Sequence, residues 1–182
     1  MHGTIFAELK KYVTTKFSEE AWDQLLIDSG IGPRIFLAFQ NYPDEEALAL
    51  VAAANQLTGI PVPALLEDFG LFIAPDLIGM YKHLIKPEWR TLDLIEHTEE
   101  TIHHLVRLSQ KGAQPPLLKC SRPTPNQVVI TYTSPRKLCA LAVGISKGLA
   151  KHYGESIEVS QKSCMLEGDP ACELVVSYDT RA

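Results

Sequence analysis

Three histidines, His97, His103 and His104, fall within one stretch of helical pattern, residues 91–110. Side chains set at about 100° per residue put Ile95, Ile102 and Val106 at the centre of an apolar stripe. His104 then falls about 180° from Ile95, among positions that face water, and His103 about 80° away, at the stripe's edge beside Leu92. An imidazole at such an edge can enter an apolar cavity while its second nitrogen reaches a polar partner. That is the arrangement a haem-ligating histidine requires. A core-edge histidine with a satisfied hydrogen bond fits the same position.

A second group is Tyr132-Thr133-Ser134-Pro135-Arg136, where a strand pattern gives way to a helix pattern. Residues two apart on an extended chain face one side, so Tyr132 and Ser134 point together. The free N–H groups of the entering helix and the planar fork of Arg136 complete a donor set for a carboxylate or phosphate. A Ser-Pro helix cap followed by a basic residue reads the same way without any ligand. The third group is made of thiols. Cys164 and Cys172 are equidistant from Gly168, so a hairpin centred there sets them opposite each other. Cys139, in the second turn of the helix expected after Ser134, approaches the same end of the sheet. Three thiolates are a base for a structural zinc site, which usually takes four ligands. Three reduced structural cysteines are the alternative, and Cys120 reads as a packed thiol.

The elements that must hold these groups change character along the chain. Ile5, Leu9, Tyr12, Val13 and Phe17 recur at helical steps, and Ser18 caps a second helix that carries Trp22, Leu25 and Leu26. Pro43-Asp44 opens a third helix that stops at Thr58-Gly59. Helical segments follow at Ala64–Phe72, at 76–87 and at 91–110. After Gly112 the period switches. Leu117–Cys120 and the β-branched run Gln127–Thr133 read as strands. A helix opens at Ser134-Pro135 and runs to Gly154, and Ile157–Val159 and Cys172–Val176 are two more strands. The expected class is α+β, one domain over 1–182. Its helical lobe covers about 1–62, and a lobe of about 63–182 contains a roughly four-stranded antiparallel sheet with helices.

Composition narrows the function classes. The 182 residues carry 17 basic against 22 acidic side chains, net −5, which argues against a nucleic-acid partner. No run of 18 apolar residues marks a membrane span, and four sparse cysteines suit a reducing, cytoplasmic setting. There is no Gly-rich phosphate loop and no nucleophile–base pair, so an enzyme is not expected.

Taken together, His103, the run Gly112-Ala113-Gln114-Pro115-Pro116 and Tyr132-x-Ser134-x-Arg136 closely resemble the H-NOX family of haem-nitric oxide/oxygen binding domains. The likeness covers essentially the whole chain, including Met1, Gly3 and Ile5. It implies haem b held between the lobes, with His103 as proximal iron ligand and Tyr132, Ser134 and Arg136 on the propionates. It also implies Pro116, Ile5 and Ile145 against the porphyrin. The family's oxygen-holding members carry a distal tyrosine, and that position falls here on Leu141. Leu9, Ile73, Ala74 and Leu77 around it also lack a donor, so the resemblance implies NO selectivity against O2. Carbon monoxide is a further ligand. Release of His103 from iron would move its helix and signal to a separate effector, a histidine kinase or cyclic-di-GMP enzyme, from a bacterial stand-alone sensor. Some bacterial members hold zinc on similar cysteines with a histidine at the position of Gln161, a poor zinc ligand. The Cys164–Cys172 hairpin also looks like that of haem-free 4-vinyl-reductase-type small-molecule modules, the alternative reading.

Overall fold

The computed structural model describes residues 1–110 and 112–179. It falls into two compact units that divide between Phe69 and Gly70. The first contains α1 (Gly3–Lys16), α2 (Glu19–Asp28), α3 (Asp44–Thr58) and the opening turns of α4 (Val62–Tyr81). Local chemistry sets these boundaries. Ser18 Oγ accepts the Ala21 N–H at 3.2 Å, and Glu19 and Glu20 sit in the positive first turn of α2. Gly59, at φ +69°, closes α3 in the left-handed conformation that costs glycine nothing. The core of this unit is aromatic. Phe6 stacks on Phe36 at 4.3 Å, and Trp22 and Tyr42 meet Phe36 edge-on. The Tyr12 hydroxyl donates to Asp68 at 2.5 Å, and Lys16 pairs with the same carboxylate.

From Gly70 onward the second unit holds the rest of α4, then α5 (Thr91–Thr98), a π-helical turn (Glu99–His103) and α6 (His104–Ser109). Strands β1 (Leu117–Thr124) and β2 (Gln127–Thr133), helix α7 (Cys139–Tyr153), and strands β3 (Ile157–Ser163) and β4 (Cys172–Tyr178) follow. The sheet order is β1-β2-β4-β3, antiparallel throughout. Val128, Ile130 and Tyr132 of β2 alternate inward, as do Cys172, Leu174 and Val176 of β4. They pack with Leu92, Leu94, Ile95 and Leu149 from the helices. The α+β expectation and the four-stranded antiparallel sheet are therefore observed.

Three local expectations change. The segments Ala64–Phe72 and 76–87 are largely one helix, α4, which runs through Pro75. Pro75 has no N–H to offer the carbonyl of Leu71, and its ring crowds that same carbonyl. Residues 91–110 are helical as expected, but a π turn replaces the regular step at Glu99–His103. Helix α7 starts at Cys139, not at Ser134. Ser134-Pro135-Arg136-Lys137 is instead a tight turn: the Lys137 N–H donates to the Ser134 carbonyl at 3.1 Å, and Lys137 takes φ +52°. Ser134 Oγ accepts the Arg136 N–H at 3.3 Å within that turn, so its hydroxyl closes a loop and caps no helix.

Candidate functional site

His103 is placed by an irregularity in its own helix. The His104 N–H reaches back five residues to the Glu99 carbonyl, which widens the turn that ends at His103. π-Helical turns inside α-helices are frequent at functional positions. The His103 side chain is 15% exposed, whereas His104 faces solvent, the relative burial that the helical wheel predicts. His103 Nδ1 lies 3.1 Å from Glu99 Oε2. The same carboxylate takes the Leu118 N–H at 3.0 Å on Oε2 and the Arg107 guanidinium on Oε1. Burial lowers the His103 pKa below its ordinary value, and the Glu99 carboxylate only partly opposes this. Burial alone would raise Glu99, but the Leu118 N–H, His103 and Arg107 together hold it below the usual carboxylate value. The pair at neutral pH is thus a neutral imidazole beside a carboxylate. We assign the ring proton to Nδ1, which leaves Nε2 as the atom for a metal.

Tyr132 and Ser134 are both buried, and the tyrosine hydroxyl bonds with Ser134. Burial raises the Tyr132 pKa, so the phenol stays protonated and able to donate. The half-buried Arg136 sits in the turn that follows, and its guanidinium donates to the Gln114 carbonyl. Two hydroxyls, a guanidinium and turn N–H groups are therefore brought together, without the helix terminus that the sequence suggested. Gln114 was missed as an anchor, because a backbone acceptor leaves no mark in the residue type.

Of the apolar positions, Ile73 and Ala74 are fully buried on α4, and Leu77 is half-buried there. Leu141 and Ile145 lie one turn apart on α7, both half-buried. Pro116, also half-buried, directly precedes β1. In the first unit, Ile5 and Leu9 are half-buried on α1.

The thiols form a separate group. The sulfurs of Cys139, Cys164 and Cys172 all lie within 4.8 Å of one another, with Cys139 and Cys164 4.0 Å apart. A tetrahedral zinc with bonds of about 2.3 Å spaces its sulfurs about 3.8 Å apart, close to this arrangement. Cys139 belongs to the first turn of α7, a turn earlier in its helix than expected, because the helix begins later. Gln161 Nε2 faces Cys139 Sγ at 3.7 Å and donates to the Ser163 carbonyl at 3.0 Å. Burial pushes the Cys139 thiol up to about 12, with Cys172 adding to the shift. Cys164 is lowered: burial opposes this, and the Leu166 N–H, neighbouring thiols and the Glu167 N–H prevail. Cys120 stands apart and donates to the Ile95 carbonyl, and burial pushes its thiol up to about 11.

A family model described as Haem-NO-binding matches residues 2–161. The chain belongs to that family. A crystal structure of an H-NOX protein from S. oneidensis, in the Fe(II)NO ligation state, superposes with a TM-score of 0.91. The two are 25% identical, and the match covers 99% of this chain and 100% of that one. An Fe(II) unliganded H-NOX protein from K. algicida superposes at 0.88 with 21% identity over 98% of this chain and 97% of its own, a likeness of fold. A soluble guanylate cyclase of Caenorhabditis elegans is 23% identical over 145 residues, which is 75% of this chain. The match takes in 20% of that cyclase's length. The family is one of haem-based gas sensors, and an H-NOX domain is a sensor domain, not an enzyme. These matches do not favour the haem-free module. The donor set of this H-NOX domain also fits a haem: a neutral imidazole at a buried face, two buried hydroxyls beside a guanidinium, and apolar side chains at the remaining positions.

Proposed function

We propose that this chain binds haem b through His103 and responds to nitric oxide in preference to O2. The observation that carries the reading is the His103 imidazole. It is largely enclosed, neutral and held at Nδ1 by Glu99 on a π turn, with Nε2 left for iron. Bound ferrous haem supplies an iron that takes NO or carbon monoxide. The chain does the rest. His103 orients the proximal face, and Tyr132, Ser134 and Arg136 receive the carboxylates. Leu141, Ile73, Ala74 and Leu77 offer no hydrogen-bond donor to a bound gas, which disfavours the polar O2 adduct far more than NO. Pro116, Ile5 and Ile145 supply apolar contacts. The junction of α5, the π turn and α6 is the element whose change would signal to a separate protein in the cytoplasm, such as a histidine kinase or a cyclic-di-GMP enzyme. The proposed lobes of the domain run over about 1–62 and about 63–182. No single helix among the described residues is long and apolar enough to span a membrane.

The test is the absorption spectrum of the reduced protein. A five-coordinate ferrous Soret band, unchanged in air and shifted by NO, is expected. His103→Ala should lose the haem and His104→Ala keep it, and the reverse pattern overturns the assignment.

A second site is proposed on its own observation. The three sulfurs of Cys139, Cys164 and Cys172 lie close enough together to share a zinc ion, with the Gln161 amide beside Cys139 Sγ. Elemental analysis showing about one zinc per chain would support it.

A further inference from the structure

We propose that Glu99 is a positioning residue: it orients His103 for the iron and ties the histidine's helix to the strand pair that carries Tyr132. The inference rests on His103 being the haem ligand. The Glu99 carboxylate is 17% exposed and fully used. Oε2 accepts from His103 Nδ1 and from the Leu118 N–H, and Oε1 takes Arg107. A helix-surface ion pair would need only Arg107. Here one oxygen is shared between the ring and a strand backbone, which a surface pair does not explain. A carboxylate on Nδ1 fixes the tautomer, holds the ring plane and makes Nε2 a stronger donor to metal. The second bond extends the link. Leu118 is paired with Tyr132 across β1 and β2, so one carboxylate joins the proximal histidine to the strand that ends at the anion-binding hydroxyls. A shift of the imidazole pulls on both.

The Pro116 carbonyl also reaches the His103 ring and is the rival anchor. The experiment is resonance Raman of the ferrous, unliganded holo-protein, together with the rate of haem transfer to an excess of apomyoglobin. Glu99→Gln keeps the size and an acceptor but removes the charge. It is expected to lower the iron–histidine stretching frequency and to speed haem transfer about 10–100-fold, the usual cost of losing such a partner. Arg107→Ala should leave the frequency at the wild-type value, because the carboxylate still meets the ring. If Glu99→Gln does not fold, Glu99→Asp, whose shorter arm draws back from Nδ1, is expected to lower the frequency as well. An unchanged frequency in a haem-loaded Glu99 variant would give the role to Pro116 and overturn the inference. Haem retained by His103→Ala would instead overturn the ligand assignment, whatever Glu99 does.

Discussion

A side-chain carbon built on Gly70 would fall 2.4 Å from the Leu141 carbonyl oxygen and 2.7 Å from the Ile145 nitrogen. Helices α4 and α7 therefore touch backbone to backbone beside two of the apolar site positions. Gly148 repeats the contact further along, where a Cβ would lie 2.4 Å from that of Ala74 and 2.9 Å from the Leu71 carbonyl that Pro75 leaves without its usual helical donor. Backbone cannot swing aside as a side chain can. Gly70→Ala is expected to cost about 1–3 kcal/mol, the range for overpacking. Gly79→Ala, on the same helix with nothing within 4 Å, should gain up to about 1 kcal/mol from helix propensity. Denaturant melts of both variants check the contrast, and equal effects would remove the close-contact explanation.

Leu141 sits one turn from Ile145 on α7 and has no donor. Leu141→Tyr adds a hydroxyl that could donate to a gas bound at the proposed site. The variant is expected to give an O2-dependent Soret shift in air that the wild type lacks. A wild-type protein that already shows such a shift would contradict the proposed selectivity.

The large features were legible because periodicity reports burial. The sheet was visible in the alternation of Val128, Ile130 and Tyr132, and the lower exposure of His103 than of His104 in their angular distance from Ile95. The helix entry at Ser134-Pro135 was misplaced for a physical reason. Serine and proline favour a tight turn as much as a helix start, and Lys137 at positive φ settles the matter through backbone geometry. Glu99 carries no such signal, because an acidic side chain on a helix is most often simply solvated. Its neighbours Leu118 and Arg107 meet it only once the π turn and β1 are in place.

Acid should weaken the second unit partly through Asp93. Its Oδ2 accepts the Arg90 N–H at 3.0 Å, and Arg122 Nη1 lies 2.5 Å from Oδ1. Burial alone would raise its pKa, but the Arg90 N–H and Arg122 bring it below the ordinary 3.8. The folded state thus binds this proton less readily than the unfolded chain. The contribution is present in full above the ordinary value and is lost as pH falls through the lower, folded value. Asp93→Asn is expected to lose about 1 kcal/mol at neutral pH and to flatten stability against pH below about 4. Urea titrations at several pH values measure both, and a parallel offset at every pH would exclude Asp93 as a source of the acid limb.

The thiol cluster makes the sharpest metal prediction because its protonation opposes binding. With Cys139 pushed up to about 12 by burial, its thiol carries a proton at neutral pH. Zinc must displace that proton, so affinity is expected to rise with pH. Cys172→Ser removes one of three sulfurs and should abolish stoichiometric zinc. Gln161→His exchanges a poor ligand beside Cys139 Sγ for an imidazole, so zinc should be held against chelator more strongly than in the wild type. Competition with a chromophoric chelator at two pH values reads all three effects. Equal retention by the wild type, Cys172→Ser and Gln161→His would show that metal is not bound at these sulfurs.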